Sequence, residues 1–187
     1  DTMITLTDPE PLAATPSVTT DYNGQQITCF GASDGGLTVG ALGGTPGYNY
    51  TWTNASGTQV GVGTDVFGLP AGVYFVEIVD ANGCIFNTDI LLTQPNPVAG
   101  IIDIVSDFNG LPISCSGAND GAVSVTGDGG TPTYTYLWNT NPPTSGQDLT
   151  DLGEGVYEVT IIDVNGCVGV ESVNLIGNPL PVLNPTA

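Results

Sequence analysis

The chain is 187 residues long and 40% apolar, with 19 Asp and Glu and no Lys, Arg or His, for a formal charge of −19. That length holds one large domain or two small ones. The absence of cationic side chains excludes nucleic acid as a partner, because nothing can pair with phosphate. It also removes Schiff-base lysines, histidine bases and arginine anion clamps. No apolar run approaches the ~20 residues of a membrane-spanning helix. High net charge commonly goes with disorder, but here Val, Ile, Leu, Tyr and Trp recur in strand-like patterns. The acids have two readings: a surface kept soluble by like-charge repulsion, or a surface that recruits Ca²⁺.

Along the chain the dominant signal is an internal repeat. Asp21-Tyr-Asn-Gly-Gln-Gln-Ile-Thr-Cys29 matches Asp107-Phe-Asn-Gly-Leu-Pro-Ile-Ser-Cys115 at an offset of 86. Gly43-Gly-Thr-Pro-Gly-Tyr-Asn-Tyr-Thr-Trp52 matches Gly129-Gly-Thr-Pro-Thr-Tyr-Thr-Tyr-Leu-Trp138 at the same offset. Leu69-Pro-Ala-Gly-Val-Tyr74 and Asp80-Ala-Asn-Gly-Cys84 match Leu152-Gly-Glu-Gly-Val-Tyr157 and Asp163-Val-Asn-Gly-Cys167 at offset 83. The boundaries repeat too, as Pro9-Glu-Pro11, Pro95-Asn-Pro97 and Pro179-Leu-Pro181. Four segments follow: residues 1–7 as the last strand of a preceding repeat, 8–94 and 95–178 as two complete repeats, and 179–187 as the first strand of a following one. Proline fixes φ and keeps its predecessor extended, so each Pro-x-Pro joint reads as a semi-rigid connection.

The apolar period within each repeat is two, which is the strand period. Tyr48, Tyr50 and Trp52 alternate, as do Tyr134, Tyr136 and Trp138. Further strands are expected at 72–80 and 155–163. The 27 Gly and 14 Pro separate short strands, and no segment carries an amphipathic helix. Asn82-Gly83 and Asn165-Gly166 are expected as type I′ hairpin turns. About seven strands per ~85 residues is the size of an immunoglobulin-like sandwich. The predicted fold is therefore all-β: two tandem immunoglobulin-like β-sandwiches in an elongated array. Gly-Val-Tyr at 72–74 and 155–157 suggests a tyrosine corner. The Tyr-x-Tyr-x-Trp rows read either as core faces or as exposed platforms for stacking a sugar.

Four cysteines allow three pairings. The repeat makes Cys29–Cys84 and Cys115–Cys167 equivalent, and these are the expected bridges. Cys84–Cys115, with the other two pairing outward, is the alternative. Disulfides point to an oxidising, extracellular setting. Asp80 with Asn82, and Asp163 with Asn165, are candidate Ca²⁺ ligands because that ion prefers oxygen donors. Asp34 and Asp120 are candidates to complete such sites. The competing reading is turn chemistry, in which Asp and Asn side chains bond their own backbone.

The run Gly-Gly-Thr-Pro-x-Tyr-x-Tyr-x-Trp, followed by Leu-x-x-Gly-Val-Tyr and Asp-x-Asn-Gly-Cys, resembles the SprB repeat. Such repeats occur in large cell-surface proteins of the Bacteroidota, including gliding-motility adhesins. The extra Gly47 or Thr133 before Tyr departs from the family's usual Thr-Pro-Tyr. The resemblance implies secretion, surface location, and a role in adhesion or filament building. It supplies no catalytic residues. In that setting Asp1-Thr2-Met3 matches an O-glycosylation signal at Thr2. The leading functional expectation is a non-catalytic, disulfide-stapled spacer in a giant adhesin or filament. Its partners would be neighbouring repeats and other copies in a bundle. The alternatives are a module binding surface glycans through the aromatic rows and a Ca²⁺-rigidified adhesion module. An enzyme working through two carboxylates stands behind all of these.

Overall fold

A computed structural model describes Met3 and residues 8–177. The partial strands expected at 1–7 and 179–187, and Thr2, fall on residues outside this set, Met3 apart. The chain divides into two compact units, Asp1–Pro95 and Asn96–Ala187. Among the described residues every regular element is a strand.

The first unit contains β1 (Ala13–Ala14), β2 (Ser17–Val18), β3 (Ser33–Thr38), β4 (Ala41–Leu42), β5 (Asn49–Asn54), β6 (Gln59–Val62), β7 (Asp65–Pro70), β8 (Gly72–Val79) and β9 (Ile85–Leu92). The second contains β10 (Ala99–Ile104), β11 (Gly121–Asp128), β12 (Thr135–Trp138), β13 (Thr144–Ser145), β14 (Asp148–Leu152), β15 (Gly155–Ile162) and β16 (Val168–Leu175). Each unit sets a three-stranded sheet against a four-stranded one: β2-β3-β7 with β6-β5-β8-β9, and β10-β11-β14 with β13-β12-β15-β16. All strand pairs are antiparallel. This is the two-sheet architecture of an immunoglobulin-like sandwich, as the strand count implied.

The two copies differ where one proline differs. Ala99–Ile104 pairs with β11 along six residues without interruption. In the first unit the same stretch breaks into β1 and β2, with Pro16 between them. Ile102 stands at the matching position of the second unit. Proline has no N–H to give a ladder and is confined to edges and breaks. The register on either side is unchanged, since Ala13 pairs Leu42 and Ser17 pairs Thr38.

Each unit closes its own core. In the first, Leu37, Val66 and Leu69 of one sheet meet Trp52, Tyr74, Val76, Ile78 and Leu92 of the other. In the second, Val123, Val125, Leu149 and Leu152 meet Trp138, Val159, Ile161 and Leu175. Trp52 and Trp138 are 0% exposed. Their indole N–H groups donate to the Gly63 and Gly146 carbonyls, each at 3.0 Å. Among the described residues, no buried side-chain polar atom lacks a partner. The tyrosine corners form: Tyr74 Oη donates to the Pro70 carbonyl at 2.7 Å, and Tyr157 Oη to the Gly153 carbonyl at 3.0 Å.

Two sequence expectations need correction. The Asn82-Gly83 turn is not type I′. A type I′ turn needs both central residues at positive φ, and here Gly83 has φ 83° while Asn82 is not in that region. The Gly83 N–H closes on the Asp80 carbonyl at 3.0 Å, so the loop is longer by a residue. Gly166 and Asp163 repeat this at 3.1 Å. The two-residue turns lie elsewhere. Asn23 and Gly24 have φ of 55° and 87°, and Asn109 and Gly110 have 58° and 88°. Tyr22 and Gln25 exchange both backbone hydrogen bonds across the first of these.

The second correction concerns sulfur. Cys84 and Cys115 are exposed free thiols, whereas Cys29 and Cys167 are disulfide-bonded. Neither Cys29–Cys84 nor Cys115–Cys167 is formed. The reason is distance within each unit. Cys84 immediately precedes β9, while the Cys29 loop lies at the far end of that strand. There the Gly31 N–H donates to Gln94 Oε1 at 2.8 Å, and the Thr93 N–H to Gln26 Oε1 at 2.7 Å. Eight residues of strand at ~3.3 Å each separate the two sulfurs by roughly 25 Å. A disulfide allows about 7 Å between Cα atoms. The second unit is alike: Cys167 precedes β16, and the Cys115 loop lies at its far end, where Ile113 bridges Gly177.

Candidate functional site

Each unit therefore has two poles. The chain arrives at a leading pole and leaves at a trailing pole. The motif residues that define the repeat gather at the leading pole. There the Gly44 N–H donates to the Glu10 carbonyl at 2.7 Å, tying down the incoming segment. Asp80 stands at the centre, only 4% exposed. Its Oδ2 accepts the Thr45 N–H at 2.8 Å. Its Oδ1 accepts the N–H groups of Asn82 at 2.9 Å and Cys84 at 2.8 Å. Asn82 Nδ2 returns to Thr45 Oγ1 at 2.7 Å, and Tyr48 Oη donates to the Gly43 carbonyl at 2.7 Å.

The second unit repeats this clasp nearly atom for atom. Gly130 N–H reaches the Asn96 carbonyl at 2.9 Å. Asp163 accepts from Thr131 at 2.7 Å, Asn165 at 2.9 Å and Cys167 at 2.8 Å. Tyr134 Oη donates to the Gly129 carbonyl at 2.6 Å. The two glycines of Gly-Gly-Thr-Pro are required here. A Cβ on Gly43 would lie 2.1 Å from the Pro11 carbonyl oxygen, and one on Gly129 would lie 1.9 Å from that of Pro97.

The Thr45 N–H, and next the Cys84 N–H, hold the Asp80 carboxyl below the usual carboxylate range. A carboxylate whose folded pKa is depressed stabilises the fold above its unfolded pKa of ~3.9. That contribution is lost as pH falls through the lower folded value. Asp80→Asn is expected to lower the melting temperature of the first unit at neutral pH and to flatten its decline in acid. Melting curves between pH 2 and 7, values set by the acid range of carboxylates, test this. An unaltered acid limb would count against the assignment.

The remaining candidates sort by pole. Asp34 and Asp120 are not beside Asp80 and Asp163. They lie at the trailing poles, where Asp34 Oδ1 accepts the Thr28 N–H at 3.2 Å and Asp120 Oδ1 the Ser114 N–H at 3.1 Å. Among the described residues, no three His, Cys, Asp or Glu side chains come together to hold a metal ion. The aromatic rows face inward. Trp52 and Trp138 are fully buried, and Tyr48, Tyr50, Tyr134 and Tyr136 pack against the cores. Tyr50 Oη accepts the Ala41 N–H at 3.2 Å and Tyr136 Oη the Gly127 N–H at 3.0 Å. This is the arrangement of a core face, and it offers no open stacking platform.

The trailing pole also grips its chain. Besides the Gln26 and Gln94 contacts, Glu154 Oε1 accepts the Gly177 N–H at 2.9 Å, and Glu154 Oε2 accepts Ser116 Oγ at 3.1 Å. Sequence reading missed this role of Gln26, Gln94 and Glu154. They carry no motif, and only their position beside the outgoing strand gives them work.

No curated protein matches the chain. Among solved structures it is similar to a 1.5-MDa bacterial ice-binding adhesin at 13% identity, covering 91% of this chain and 65% of that one, with a TM-score of 0.45. A Ca²⁺-stabilized adhesin with which an Antarctic bacterium binds ice has 18% identity, coverage of 89% and 48%, and a TM-score of 0.40. A C-terminal 282-residue fragment of intimin, in complex with the intimin-binding domain of its translocated receptor, has 13% identity, coverage of 90% and 64%, and a TM-score of 0.41. The chain thus spans about half to two thirds of these adhesin chains. The SprB repeat model matches residues 22–57 and 111–143. The first match starts at the tight Asn23-Gly24 turn and the second just after Asn109-Gly110, and both run through the Gly-Gly-Thr-Pro clasp and past the buried tryptophan. On those two segments, one in each unit, the chain carries the SprB repeat.

Proposed function

We propose that the chain is a non-catalytic structural segment of a large secreted, cell-surface adhesin or extracellular filament, in which each unit acts as a semi-rigid spacer. The observation that carries this reading is the pair of gripped poles. In each unit the backbone is hydrogen-bonded on arrival at one end of the sandwich and again on leaving at the other. A unit built this way transmits direction from its incoming to its outgoing segment, and Pro-x-Pro joints restrict what lies between. The charge of −19 with no counter-charge in the chain keeps neighbouring units apart and resists aggregation. The lack of Lys and Arg also removes every trypsin-type cleavage site. The partners on this reading are further repeats and other copies of the same filament.

Small-angle scattering of recombinant chains with two, four and six units tests it. The maximum dimension is expected to grow in proportion to the number of units. Growth only as the cube root of mass, the mark of a compact particle, would overturn the proposal.

A further inference from the structure

Every unit has one cysteine at its leading pole and one at its trailing pole, too far apart to pair with each other. The local frame around each is the same in both copies. Cys84 and Cys167 both follow an Asn-Gly turn, and both donate their N–H at 2.8 Å to the clasp aspartate. Cys29 and Cys115 both sit in the loop before the second sandwich strand, with their carbonyls accepting from Ala32 and Ala118 at 3.0 Å. Yet the chemical states differ. At the leading position Cys167 is disulfide-bonded and Cys84 is a free, exposed thiol; at the trailing position Cys29 is bonded and Cys115 is free and exposed. The same two frames that hold oxidised sulfur in one copy thus stand open in the other.

We propose that Cys84 and Cys115 are covalent joints to further SprB repeats. Cys84 takes a trailing-pole cysteine from one neighbour, and Cys115 takes a leading-pole cysteine from another. The pairing rests on the array reading, in which a trailing pole is followed by a leading pole. The reaction is thiol–disulfide exchange with a low-molecular-weight disulfide. One protein thiolate attacks that disulfide and expels one small thiol. The second protein thiolate then attacks the mixed disulfide and expels the other. Two protein thiols are oxidised to one S–S bond, one small disulfide is reduced to two thiols, and the two protons go with them.

A second copy of this chain serves as the neighbouring repeat. The intact chain is incubated with glutathione disulfide at about millimolar protein, the effective concentration a short linker provides. It is then digested with chymotrypsin for disulfide mapping. The expected result is a ladder of covalent multimers joined by Cys84–Cys115 bonds between copies, collapsing to monomer on reduction. Cys84→Ser or Cys115→Ser alone should remain monomeric, an equimolar mixture of the two single variants should stop at dimer, and the double variant should remain monomeric with Cys29 and Cys167 still oxidised. Monomers with both thiols capped by glutathione, a Cys84–Cys115 bond within one chain, or mainly like-to-like bonds would overturn the proposal. Heterotypic bonds in chains that scatter as compact particles would uphold the pairing and overturn the spacer reading instead.

Discussion

Trp52→Ala is expected to unfold the first unit at a temperature where the second remains folded. The indole is completely buried where both sheets meet. Truncating a buried aromatic to alanine costs about 3–5 kcal/mol through lost transfer energy and the cavity left behind. The Gly63 carbonyl loses its indole donor as well. A domain of this size holds roughly 5–13 kcal/mol in total, at ~0.05–0.15 kcal/mol per residue. With ~4–8 °C lost per kcal/mol in a domain of 60–100 residues, the first transition should fall by roughly 12–40 °C. Trp138 supports a separate core, so the second transition should stay in place. Calorimetry reads both at once. A shift of the first transition by only a few degrees would mean that the tryptophan does not organise the core.

Gly129→Ala should weaken the second unit by about 3 kcal/mol or more, through left-handed strain and a lost backbone hydrogen bond. The residue has φ 67°. Its new Cβ would lie 1.9 Å from the Pro97 carbonyl oxygen and 2.9 Å from the carbonyl carbon. Both obstructing atoms are backbone, so no side chain can swing away. The incoming segment must move, and the Gly130–Asn96 hydrogen bond of 2.9 Å goes with it. Gly110→Ala is the control, because it also has positive φ, 88°, but a Cβ there meets nothing within 4 Å. It should lose only the ~1–2 kcal/mol of the backbone conformation. Denaturant unfolding compares the two. Equal losses would show that the close approach to Pro97 carries no weight.

Much of this architecture was legible in the sequence because the repeat supplied two independent readings of every element. Gly72–Val79 and Gly155–Ile162 fall where Gly-Val-Tyr and the alternating aliphatics put them. The Asn-Gly turns were misassigned for a physical reason. After Asp80, one carboxylate oxygen collects the N–H groups of residues 82 and 84, and that holds the loop open by a residue. At Asn23-Gly24 the aspartate is Asp21, which accepts the Gly24 N–H three residues on at 2.7 Å, and the tight turn survives. The trailing-pole grip by Gln26, Gln94 and Glu154 depends on contacts that no local pattern encodes.

The cysteines are a case where spacing misled and strand direction would not have. Sequence separation ignores which way a strand runs. In an antiparallel sandwich each successive strand reverses. Cys29 precedes β3, which runs from the trailing pole back to the leading one. Cys84 precedes β9, which runs the other way. Counting reversals along the chain puts the two sulfurs at opposite ends.

The opposed poles also decide how a unit meets mechanical load. A pull on the incoming and outgoing segments of the first unit acts along the strand axes. β9 carries the outgoing end and is paired with β8 across eight consecutive residue pairs. Antiparallel hydrogen bonds lie across the strands, so tension along β9 strains the whole ladder in shear. Had both segments left from the same pole, the same force would open the ladder one rung at a time.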